Sequence, residues 1–120
     1  MATTIVTSPS KIRDAIRTAL SRAPACIAVP FWGCDSVEKL GLDKPKHAST
    51  KILCNLSAGG CNPDVIRQLL EKKRQVRALA SLHAKVYLGA EAVVVGSANA
   101  SRDGLGLLED SGWNEACVLV

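Results

Sequence analysis

Apolar residues recur along this chain in two patterns. Ile12, Ala15, Ile16, Ala19 and Leu20 fall at helical spacing behind Ser8-Pro9-Ser10, and Val65, Ile66, Leu69 and Leu70 do so behind Asn62-Pro63. A serine or asparagine ahead of a proline satisfies free amides and presets the first helical angle, so both helices have a marked start. The second pattern is a series of short apolar runs bounded by turns: Ala25 to Val29, Lys51 to Leu56, Gln75 to Ala80, Val86 to Leu88, Ala92 to Val95 and Glu115 to Val120. These read as strands, with Gly89-Ala90-Glu91 as the turn of a hairpin. Ser36 to Leu40 reads as one or two helical turns, Asp43 to Ser49 as polar loop, and Ala100 to Gly106 as a turn or short helix anchored by Leu107 and Leu108. Strands interleaved with helices predict the α/β class.

Candidate chemistry collects at the hairpin. His83, Lys85 and Tyr87 alternate with Ala84, Val86 and Leu88, which puts the three polar-headed side chains on one face. Gly96-Ser97-Ala98-Asn99 ends the following run, and a hairpin returns Ser97 and Asn99 beside His83. An ammonium, a hydroxyl and an amide suit a phosphate, and an imidazole beside them can attack or carry a proton.

His83-x-Lys85 followed by Gly96-Ser97-x-Asn99 resembles the signature of the phospholipase D superfamily, the HKD motif, over roughly the second half of the chain. The resemblance implies a mixed β-sheet sandwiched by helices in an α/β/α domain. It also implies a metal-independent phosphodiesterase in which one histidine forms a phosphohistidine and a histidine of a second motif protonates the leaving alcohol. One motif stands in this chain, so the resemblance implies a homodimer that pairs two copies of His83 and Lys85. Glu115, in Asn114-Glu115-Ala116, stands where family members carry an acidic residue in a further strand, and is the candidate to orient the histidine. Lys85, Ser97 and Asn99 would bind the phosphate. Two positions depart from the family pattern: its aspartate is Ala90 here, and the spacing to Gly96 is one residue shorter.

Composition narrows the substrate. The chain has 120 residues, 48% of them hydrophobic and 22% charged, which suits one soluble domain over residues 1–120. It stops within its last strand, as a fragment of a longer protein or a minimal domain would. A formal charge of +4 leans toward polyanions. Lys72, Lys73, Arg74 and Arg77 form the densest basic cluster and are the candidate contacts to a nucleic-acid backbone. The preferred substrate is therefore nucleic acid, which makes the expected protein a nuclease. The alternatives are a phospholipid-type phosphodiesterase and a non-catalytic module that binds polyanions or a partner. No leader and no membrane-spanning run is visible, so a cytoplasmic location is expected. Five cysteines without a C-x-x-C pair and two histidines predict buried thiols and neither metal nor cofactor. His47, with Lys44 and Lys46 just before it, is expected at the surface. Trp32 is expected either near the cleft or partly buried at a strand end.

Overall fold

A computed structural model of the chain describes residues 2–57, 59–101 and 115–120. Its strands are β1 (Thr4–Val6), β2 (Cys26–Ala28), β3 (Lys51–Cys54), β4 (Gln75–Ala78), β5 (Val86–Leu88), β6 (Val93–Gly96) and β7 (Cys117–Leu119). Its helices are α1 (Pro9–Leu20), α2 (Ser36–Lys39) and α3 (Pro63–Glu71), with a 3₁₀ turn at Pro45–His47. The strands form one mixed sheet of seven in the order β1-β7-β6-β5-β2-β3-β4. The marked helix starts are realised: the Ser8 side chain accepts the Lys11 amide and Asn62 accepts the Asp64 amide at 2.9 Å. Strand β1 was not anticipated, because it is an edge strand whose partner, β7, lies at the far end of the chain.

The strand order decides where the helices sit. β3 is parallel to β2 and to β4, and an even number of antiparallel pairings leads from β1 through β7, β6 and β5 to β2. Thus β1, β2, β3 and β4 all run one way and follow one another across the sheet in a single direction. Right-handed crossovers in one direction place every connecting helix on the same face. Burial agrees: Ile12, Ile16 and Leu20 of α1 and Leu69 of α3 share one core with Ile27, Ile52, Tyr87 and Val94. On the other face Ile5 is 74%, Leu88 45% and Val95 46% exposed. The expected sandwich is corrected accordingly, since the described helices cover one face of the sheet only.

Two further expectations change. Cys54 and Cys117 are buried, but Cys26 and Cys34 are exposed and Cys61 is half-buried; all five are free thiols. His47 is wholly buried, not at the surface. Its Nδ1 lies 2.7 Å from Thr50 Oγ1, which in turn accepts the Ala25 amide at 3.1 Å. Thr50 thus ties the loop before β3 to the residue ahead of β2, and the imidazole holds the Thr50 hydroxyl.

Burial pushes the His47 pKa below 6.5, the Leu20 backbone opposes the shift, and the charges of Lys46 and Arg74 push it further down. A folded pKa below the unfolded one gives stability that is complete above the ordinary histidine value and lost as pH falls through the folded value. Urea melts at stepped pH should therefore show wild-type stability falling below pH 6.5. The His47→Gln variant should be less stable at neutral pH and show a shallower acid slope. Parallel slopes would show that His47 is not the group being protonated.

Candidate functional site

The residues of the motif gather at the carboxyl-terminal ends of the parallel strands, the end at which α/β sheets carry their ligands. Asn55, just past β3, builds the approach. Its side-chain amide donates to the carbonyls of Ala80 at 3.0 Å and Leu82 at 3.2 Å, and its oxygen accepts the Ser57 amide at 3.0 Å. The chain then reaches His83, which is exposed, and Lys85, which is half-buried, before β5 begins. Lys85 Nζ lies 3.2 Å from His83 Nε2. An ammonium has only donors, so Nε2 is the acceptor and the ring proton sits on Nδ1. Tyr87 follows beneath them as core: its hydroxyl donates to the Ala98 carbonyl at 2.9 Å. Burial first, then Cys117 and Glu115, raise the Tyr87 pKa well above the ordinary phenol value.

The second half of the motif lies alongside. The Gly96 amide donates to the Lys85 carbonyl at 3.2 Å, which sets the two runs side by side. A side chain at Gly96 would strike the Ala116 carbonyl and Cys117, so only glycine allows β7 this close. Ser97 then acts as a clasp. Its hydroxyl donates to the Glu115 carboxylate, its oxygen accepts the Ala116 amide at 3.0 Å, and its own amide donates to the Ala116 carbonyl at 3.1 Å. Asn99 keeps a buried side-chain oxygen with no hydrogen-bond partner among the described residues.

The structure thus forms two bonded pairs, His83 with Lys85 and Ser97 with Glu115, joined through backbone. Among the described residues Glu115 binds Ser97 and makes no hydrogen bond to His83. Of the turn or short helix expected over Ala100 to Gly106, and its anchors Leu107 and Leu108, all but the first two residues lie outside the described residues. Among those that are described, no three His, Cys, Asp or Glu side chains gather to hold a metal ion.

The basic cluster divides. Lys72, Lys73 and Arg77 are exposed, whereas Arg74 is buried and donates to the carbonyls of Leu42, Lys72 and Lys44 at 2.9, 2.7 and 2.9 Å. Its guanidinium therefore ties loops together and is not open to a ligand. Lys72 and Lys73 stand before β4, at the opposite end of the sheet from His83. Arg17, Lys44 and Lys46 line a pocket of about 220 Å³ at that end. Only the lysines on either side of Pro45 hint at this grouping in the sequence, because Arg17 comes from a separate segment.

No family model matches the chain, and no curated protein does. Among solved structures it is similar in fold to TrmBL2, an archaeal chromatin protein whose structure shows a novel mode of DNA binding. The TM-score is 0.60 at 15% identity, over 100% of this chain and 45% of the TrmBL2 chain. The sequence thus spans less than half the length of the protein it matches.

This finding corrects the expected membership in the phospholipase D superfamily, together with the nuclease or other phosphodiesterase working through a phosphohistidine. The likeness found is to a DNA-binding chromatin protein. The position of the family's aspartate is an exposed alanine, Ala90, and the Ser97 hydroxyl donates to the Glu115 carboxylate. With that chemistry goes the reason for a homodimer, which rested on completing a two-motif site.

Proposed function

We propose that the chain is a nucleic-acid-binding module that holds phosphates through its lysines and cleaves no bond. One observation carries this reading: no lysine forms an ion pair among the described residues, where the ion pairs are Arg13–Asp14, Arg22–Glu91 and Arg67–Asp64. The formal charge of the chain is +4, and the described ammonium groups, left without a carboxylate partner, can attract a polyanion and release its counterions. The fold likeness to a protein that binds DNA supports the same reading. No described helix is long and apolar enough to cross a membrane.

The reading separates binding from the His83–Lys85 pair. The His83→Ala variant should bind a short labelled DNA duplex within about twofold of wild type, as suits a group that makes no phosphate contact. Wild type should leave bis-p-nitrophenyl phosphate intact with and without chelator. Turnover of that diester that disappears in His83→Ala would overturn the proposal.

A further inference from the structure

We infer that the nucleic-acid backbone is held at the end of the sheet away from His83, by Arg17, Lys44, Lys46, Lys72 and Lys73. The inference rests on the nucleic-acid reading above and assigns it a surface.

Three segments distant in sequence meet there. The Lys46 ammonium donates to the Ser21 carbonyl at 2.9 Å, which joins the loop before β3 to the end of α1. The buried Arg74 guanidinium bonds the carbonyls of Lys44 and Lys72, which joins that loop to the turn before β4. His47 and Thr50 secure the same loop from below. The backbone at Lys44 and Lys72 is thus held by the buried Arg74 side chain, and that at Lys46 lies beside the buried His47–Thr50 contact, while the side chains of all three lysines stay exposed. Arg17, in the last turn of α1, lines the same pocket of about 220 Å³ as Lys44 and Lys46, and no carboxylate lines it.

Charge favours this end over the other. The loops and turns here carry Arg17, Arg22, Lys44, Lys46, Lys72 and Lys73 against Asp43, Glu71 and Glu91, and Glu91 is already paired with Arg22. At the opposite end the described residues offer Lys11 at the start of α1 and Lys85 beside His83, against Asp35, Asp64 and the Glu115 carboxylate of the Ser97 clasp. A phosphate backbone laid across the first end meets several cations on a fixed base, so little loop ordering is lost on binding. Lys73 adds a local feature: its φ of 59° lies in the left-handed region, where a helix usually ends on glycine. A lysine is accommodated there with its side chain exposed.

The test is fluorescence anisotropy of a short labelled DNA duplex titrated with wild type, Lys44→Gln/Lys46→Gln, Lys72→Gln/Lys73→Gln and Lys85→Gln over a range of salt. Either double variant should lose about tenfold in affinity and shed about two from the slope of log affinity on log salt, while Lys85→Gln stays close to wild type. The second double variant removes no described hydrogen bond, so its loss cannot come from a loosened loop. If wild type binds and both double variants match it in affinity and slope, the surface is wrong and the nucleic-acid reading stands. If wild type itself does not bind, the nucleic-acid reading fails, and the surface with it.

Discussion

Arg74→Ala is expected to cost about 3–5 kcal/mol of stability, among the largest effects of any single substitution in this protein. The side chain is only 7% exposed, and its three nitrogens donate to the carbonyls of Leu42, Lys44 and Lys72. A hydrogen bond from a charged donor contributes about 1.5–3 kcal/mol, and its loss leaves a buried acceptor unsatisfied. Two of the three acceptors lie in the loop before β3 and one in the turn before β4, so both approaches to the parallel strands loosen together. Arg74→Lys keeps the charge but has no planar fork for three separate carbonyls, and it should recover less than half of the loss. Urea unfolding of the two variants beside wild type measures this. A loss under about 1 kcal/mol for Arg74→Ala would show that the carbonyls find other partners.

Trp32→Ala should be comparably damaging, at about 3–5 kcal/mol, and its effect should fall on the other end of the sheet. The indole is wholly buried, and its Nε1 donates to the Val29 carbonyl at 3.0 Å. Backbone around it joins three segments. The Gly33 amide donates to the Ala100 carbonyl at 2.8 Å, the Asn62 amide donates to the Trp32 carbonyl at 2.8 Å, and Trp32 bridges to Ala100. Removing the indole therefore leaves a cavity beneath both the β3–α3 loop and the segment after Asn99. Trp32→Phe retains most of the volume and loses the indole hydrogen bond, so a cost of about 1–2 kcal/mol is expected. Thermal melts distinguish the two variants. Equal losses would mean that the hydrogen bond, not the volume, matters.

Local signals in the sequence proved good guides to local structure. Ser8-Pro9 and Asn62-Pro63 start α1 and α3, and Val86 to Leu88 is a strand, because caps, proline angles and short β-branched runs act within a few residues. What depended on distant partners was hidden. The helices lie on one face because β1 to β4 cross the sheet in one direction, and that order follows from the pairing of β1 with β7 and of β2 with β5. His47 reads as a surface residue after two lysines, yet it is wholly buried and bonded to Thr50, which itself accepts the Ala25 amide ahead of β2. Arg74 reads as one member of a basic run, and only the packed loops show that its charge is turned inward. The motif shows the same limit. His83 and Lys85 are indeed neighbours, and Ser97 and Glu115 also meet, but the second contact ties strands β6 and β7 together where the resemblance implied a phosphate site.

Binding without cleavage is tested most directly by incubating the wild-type chain with an end-labelled DNA duplex over a range of salt, reading anisotropy and strand length in the same samples. Affinity should fall linearly with salt on logarithmic axes, with a slope of about −0.9 for each phosphate contacted, and the strands should keep their length. Salt-independent binding, no binding at low salt, or scission that is lost in His83→Ala would contradict that reading.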